Sequence, residues 1–282
     1  MNISNNNYKT LNFTSLYRQT HYKDCNGLFR STQNTTCARD DLDYVEFANL
    51  AKEKFKNFDK INIMPMNGSD GTEAYLIANA LIDVFGKEDA EKRIFPIEVT
   101  DIDKFIIENF GKKGIVALEP EDVEHFGKNF NKYFEEIPIS ELPNVEYAYR
   151  PNAKAYKLTP EFRKYFKFNV MDFQQRLGNL KDEGNSTVII RNCLAQSFGD
   201  FGTGAIIELV GQKLKDTSLF IIGGYDRAIM SNMVPYMSIL NFKEIGKNIF
   251  GFEKIKNLIQ EEPIKSIGLF DCVQQLLKKV LA

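Results

Sequence analysis

Apolar residues at helical spacing open the readable part of the chain. Leu42, Val45, Phe47, Leu50, Ala51 and Phe55 follow an acidic turn and predict one amphipathic helix over Asp40 to Phe58. The rhythm then changes to short apolar runs separated by helical stretches. Lys60 to Met66 (KINIMPM) predicts a strand, Thr72 to Phe85 a helix, Arg93 to Thr100 a second strand and Lys104 to Phe110 a helix. Tyr165 to Met171 predicts a third strand, Thr187 to Ile190 a fourth, Ala205 to Leu214 a helix and Ser218 to Ile222 a fifth strand. Strands alternating with helices predict βαβ units: a doubly wound α/β fold whose mostly parallel sheet is covered on both faces.

Two stretches break the rhythm. Between Ala117 and Thr159 the β-prone pieces NVEYAYR and KAYKLT flank Pro151-Asn152, which predicts a small hairpin-bearing insertion. Later, NFKEIGKNIFGFEK predicts an antiparallel hairpin at one sheet edge, turning at Lys247-Asn248. Pro263 to Ala282 reads as a terminal amphipathic helix, and the Asn-rich start MNISNNNYKT as a frayed end.

Composition narrows the function classes. A net charge of -2, with Lys and Arg scattered among Asp and Glu, argues against nucleic acid as a partner. No apolar run approaches the roughly 18 residues a membrane span needs, and no signal-peptide core stands at the start, so a cytoplasmic protein without membrane insertion is expected. Cys25, Cys37, Cys193 and Cys272 form no C-x-x-C pair and read as free thiols. His21 and His125 are the two histidines, so no metal site is expected.

Three strand ends carry candidate chemistry. After the first strand, Asn67-Gly68-Ser69-Asp70-Gly71-Thr72-Glu73 leads into a helix, where such folds place a ligand. Gly68 and Gly71 permit turn conformations and close backbone approach, while the acidic turn lacks the Gly-Lys-Ser/Thr of a phosphate loop. A ligand with a cationic amine or sulfonium suits Glu73 better than a pyrophosphate; an ordinary βα turn fits the spacing equally. Asp101, followed by Ile102, ends the second strand about thirty residues later and could accept both hydroxyls of a ribose or cap the next helix. Asp103 reads as that cap. Asp172, before Phe173, ends the third strand and could take an adenine amino hydrogen, with Phe173 against the base, or again cap a helix.

In order along the chain, these segments resemble the CheR family of chemotaxis receptor methyltransferases from Asn12 to about Lys254. NFTSLYRQTHY is similar to the family's T-x-F-F-R segment and GSDGTEAYLIA to its S-T-G-E-E-P-Y-S-I-A motif. VTDIDKFIIENFGKKGI is similar to its S-D-I-D stretch, and AYKLTPEFRKYFKFNVMDF to the region entering the third strand. VIIRNCLAQSF resembles C-R-N-V-x-I-Y-F, and LFIIGGYDR resembles L-F-x-G-H-S-E. The resemblance implies a Rossmann-like sheet that binds S-adenosylmethionine, releases S-adenosylhomocysteine and methylates a protein glutamate, such as one on a chemoreceptor cytoplasmic domain; a monomer is expected. It implies that Arg18 orients the acceptor beside the cofactor with Thr14 in support, and that Glu73 binds the methionine amine. Asp101 would take the ribose, Asp172 and Phe173 the adenine, and Arg191 and Asn192 would shape the loop at the methyl group. The resemblance implies that residues 1–39 contribute to the cofactor site and 40–254 form the catalytic domain; the pattern adds the insertion at about 117–159 and a helical tail over 255–282.

The chain departs from the family pattern on the acceptor side. The N-terminal helical domain has no counterpart, Gln196 stands where a tyrosine is expected, and Gly224-Tyr225-Asp226 replaces His-Ser-Glu. A different protein or small-molecule acceptor, or a regulatory protein that binds the cofactor without turnover, therefore stand as alternatives.

Overall fold

The computed structural model describes residues 21–23, 29–31, 41–143, 152–229 and 233–253. A short antiparallel ladder joins β1 (His21–Lys23) and β2 (Phe29–Ser31). Helix α1 (Tyr44–Lys54), β3 (Asn62–Pro65), α2 (Thr72–Phe85), α3 (Lys87–Arg93) and β4 (Ile97–Asp101) follow. Next come α4 (Lys104–Ile106), which runs into a π turn over Ile107–Gly111, then β5 (Ile115–Leu118), α5 (Pro120–Phe126), α6 (Phe130–Tyr133) and β6 (Phe134–Ile137). The chain continues through β7 (Lys154–Leu158), α7 (Pro160–Arg163), β8 (Phe166–Val170), α8 (Phe173–Gly178) and β9 (Ser186–Ile190). It then forms α9 (Leu194–Lys213), β10 (Leu219–Ile222), α10 (Gly224–Ile229), α11 (Met233–Ile239), β11 (Phe242–Gly246) and β12 (Ile249–Phe252).

The central sheet is doubly wound. β3, β9 and β10 run parallel, β12 lies antiparallel beside β10, and β11 closes that edge. The parallel pair β4-β8 extends the other side through a parallel bridge between Met66 and Thr100. In chain order these seven strands lie 3-2-1-4-5-7-6. The chain winds outward from β3 in one direction, then outward from β9 in the other, so a topological switch point lies between them.

Strand alternation divides the core in two. Ile63, Ile189, Leu219, Ile221 and Ile249 face one layer, with Phe47, Ala51 and the buried stripe of α2. Their neighbours Met64, Val188, Ile190, Phe220, Ile222 and Phe250 face the other, with Val210 of α9 and Met237 of α11. Where β3 and β4 diverge, buried Arg176 of α8 donates to the Pro65 carbonyl at 3.0 Å, the Glu98 carbonyl at 2.8 Å and the Thr100 hydroxyl at 3.0 Å. Burial pulls this guanidinium down to about 10, with the charge of Glu98 acting the other way. The side chain thus ties β3 to β4 beyond their single bridge.

Several expectations change in detail. Asp43 caps α1 at the Val45 and Glu46 amides, so the helix begins after Asp40 and leaves Val45 exposed. Arg93 ends α3, a helix the pattern missed because KEDAEKR has a single apolar residue, and β4 begins only at Ile97. α9 starts at Leu194, well before Ala205. Gly199, Gly202 and Gly204 obscure the first half of this helix in the sequence, because each glycine weakens a helix by about 1 kcal/mol. Burial of Ile206, Ile207 and Val210 favours the helix instead. The insertion holds a three-stranded antiparallel sheet with β7 between β5 and β6. KAYKLT thus pairs with Ile115–Leu118 and Phe134–Ile137, while NVEYAYR lies outside the described residues, as does the expected terminal helix. The edge hairpin turns at Lys247-Asn248 as read from sequence. No helix among the described residues is long and apolar enough to cross a membrane.

Candidate functional site

The carboxyl ends of β3, β4, β9 and β10 meet at the switch point. After β3 the turn is held in unusual backbone geometry: Asn67 (φ 53°), Ser69 (φ 50°) and Gly71 (φ 98°) are all left-handed. Two of the three carry side chains, and such conformations cluster at binding sites. The glycines answer a packing demand. A Cβ on Gly68 would lie 2.3 Å from Val99 Cγ1, and one on Gly71 2.6 Å from the Phe168 ring. Asp70 accepts from the Thr72 amide at 3.0 Å and its hydroxyl at 2.7 Å, fixing the first turn of α2 and the place of Glu73.

Asp101, at the end of β4, faces that turn. Its Oδ2 accepts the Ser69 amide at 3.0 Å and its Oδ1 the Asp103 amide at 2.9 Å. Burial pushes its carboxyl up to about 6, although the backbone donors of Asp103 and Ser69 favour the ionised form. Ile102 is half-buried between these acids, and Asp103 caps α4 through the Phe105 and Ile106 amides, as expected.

The loop after β9 carries the site's buried cation. Arg191 makes ion pairs with Glu73 and Asp41 and donates to the Tyr44 hydroxyl at 2.8 Å. Burial opposes its charge, but Glu73, Tyr44 and Asp41 outweigh that and hold the guanidinium above its ordinary range. Asn192 is also left-handed (φ 57°); its amide donates to Asp41 at 3.1 Å and its oxygen accepts the Tyr225 N–H at 3.0 Å. The Asn67 amide donates to Cys193 Sγ at 3.2 Å, tying the two loops together across the switch point. Burial pushes the Cys193 thiol well up, and the charges of Asp226, Asp101 and Glu73 act the same way.

The structure therefore brings Asn67, Gly68, Ser69, Gly71, Glu73, Asp101, Ile102, Arg191 and Asn192 to one edge of the sheet. Asp172 follows Met171, whose amide donates to the Asp101 carbonyl at 3.0 Å. It caps α8 through the Gln174 amide at 2.6 Å, and burial raises its carboxyl. Phe173, expected against an adenine, is instead a core residue at 1% exposure, because the first turn of α8 points it at the layer of Met64 and Leu177. Thr14 and Arg18 lie outside the described residues. Sequence reasoning missed Asp41 and Tyr44. Both sit near 150 positions from their Arg191 partner, and the only signal was an Asp-rich turn before an amphipathic helix.

No family model matches this chain, and no curated protein does. Among solved structures it is similar to a precorrin-6y C5,15-methyltransferase from Geobacter metallireducens GS-15. The two share 10% identity over 76% of this chain and 78% of that one, with a TM-score of 0.35.

Proposed function

We propose that this chain is an S-adenosylmethionine-dependent methyltransferase whose acceptor is a carboxylate, in the CheR manner a protein glutamate on a partner such as a chemoreceptor cytoplasmic domain. One observation carries the reading: the buried carboxylate of Asp101 ends the second parallel strand and faces the strained Asn67–Gly71 turn at the switch point. An ionised Asp there only accepts hydrogen bonds, which suits paired ribose hydroxyls. The donor set also fits the rest of the cofactor. No Lys or Arg stands between Asn67 and Glu73, so the turn suits a nucleoside that carries positive charge better than a pyrophosphate. Glu73 would face the methionine amine and Asp172 the adenine amino group.

The cofactor supplies an electrophilic methyl on a sulfonium, and an ionised acceptor carboxylate needs no strong base. The protein's part is then orientation and charge. Arg191 and Asn192, with Arg18 and Thr14 by resemblance, are the groups we assign to that task.

Calorimetry with S-adenosylhomocysteine tests the reading. Binding is expected for the wild type, with Asp101→Ala weakening it by about 10- to 150-fold, since a hydrogen bond to a charged group is worth about 1.5–3 kcal/mol. Absence of binding at millimolar ligand overturns it. Methyl label recovered as base-labile ester on receptor glutamates would support the acceptor assignment.

A further inference from the structure

Asp41 is the point on which the site's donors converge. Its carboxylate receives Arg191 Nη2, the Asn192 amide at 3.1 Å and the Gly224 N–H at 2.6 Å, while the Asn248 amide donates to its backbone carbonyl at 2.6 Å. The loops after β9 and β10 hold this one side chain, which stands just before α1, and the β11–β12 turn holds its backbone. The Arg191 side chain is 1% exposed, and its Nε has no hydrogen-bond partner among the described residues. Gly223 brings the loops together: a Cβ there would lie 2.0 Å from Asn192 Oδ1.

This arrangement reads as an anion site built for a planar, two-oxygen ligand. Burial pushes the Asp41 carboxyl up, yet the Arg191 charge and the Gly224 and Asn192 hydrogen bonds outweigh it and leave the group below its ordinary range. Asp41 itself lies at the margin, 19% exposed, and the next residue, Leu42, is anchored in the core at 4%. For a ligand to enter, this carboxylate must leave its donors while Leu42 stays packed.

We propose that Arg191, Asn192 and the Gly224 N–H form a carboxylate-binding site that Asp41 fills as an internal surrogate and that a carboxylate ligand occupies when Asp41 withdraws. The site rests on the contacts alone; identifying its ligand with the methyl acceptor rests on the function proposed above. Asp41 is then an intramolecular competitor that keeps the donors paired between ligands, which matters because an unpaired buried guanidinium is costly.

The test is thermal melting of Asp41→Ala in sodium propionate against sodium chloride at matched ionic strength. Propionate should raise the variant's Tm by about 2–4 °C at ten times its dissociation constant. It should leave the wild type unmoved relative to chloride, and do nothing for Asp41→Ala combined with Arg191→Gln. Absence of a propionate-specific rise in the single variant, or an equal rise in all three proteins, overturns the proposal. Should Asp41→Ala not fold, Asp41→Asn serves the same comparison, because it keeps the volume while removing the negative charge that competes with the ligand for Arg191. Calorimetry with S-adenosylhomocysteine runs beside the melts. A propionate response without nucleoside binding keeps the carboxylate site and removes the methyltransferase reading; nucleoside binding without the response removes the site alone.

Discussion

Asp101 couples the site to pH. Its carboxyl stands at about 6 in the fold against an ordinary 3.8, because burial penalises the charge more than the Ser69 and Asp103 amides reward it. The folded state thus holds a proton that the unfolded chain releases at lower pH. The charged form costs about 3 kcal/mol, a penalty absent below the ordinary value and complete above pH 6. Ribose hydroxyls would donate to the ionised form, so bound nucleoside should lower this pKa. Affinity for S-adenosylhomocysteine should be flat above pH 7 and about tenfold weaker at pH 5, with Asp101→Asn losing the dependence. A flat profile in the wild type would detach Asp101 from the ligand. Arg191 makes a sharper case. It is 1% exposed and balances Glu73 and Asp41, so Arg191→Met strands two half-buried anions and should cost about 3–5 kcal/mol in urea unfolding. Asp101 and Asp41 were not equally visible beforehand. Asp101 was legible because an acid at a strand end is a local pattern. Asp41 was not, because its meaning comes from partners some 150 positions away.

Among the elements, those with local signals were read correctly. α2 spans Thr72–Phe85 in both the pattern and the structure, since its apolar stripe, its Gly71 start and Gly86 stop all agree. α9 was half lost, because glycines that a buried helix tolerates look like a loop in isolation. The inserted sheet was seen as β-prone sequence, but its pairing depends on Ile115–Leu118, a strand that no turn signal links to β7. The glycine turn between β3 and α2 was found, yet for a different reason than ligand approach. Gly71 combines φ 98° with a Cβ direction blocked by the Phe168 and Tyr75 rings. Gly71→Ala should therefore destabilise by at least about 2 kcal/mol, combining overpacking with a left-handed alanine. Chemical denaturation would show it, and an unchanged midpoint would mean that the turn relaxes freely.

At the scale of the whole molecule, one sheet serves two cores, and its carboxyl edge carries the site. Consecutive residues of β10 make the division testable. Ile221 packs with the layer of α1 and α2, Ile222 with that of α9 and α11, and both are fully buried. Ile221→Val and Ile222→Val each remove one methyl group from opposite faces, and each should cost about 0.5–1.5 kcal/mol. Their side chains share no layer, so the double variant should fall within about 0.5 kcal/mol of the sum. If the shared sheet makes the fold a single cooperative unit, calorimetry of each variant should give one transition, with equal calorimetric and van't Hoff enthalpies. The alternative is a molecule whose layers melt separately, in which Ile221→Val would shift one transition and Ile222→Val another. That outcome would mean the switch point lies on a boundary between two independently stable halves, and the strained Asn67 and Asn192 loops could not be held by both layers at once. A single transition instead ties the backbone strain at the site to the stability of the whole sheet, which is what pre-organised strand ends require.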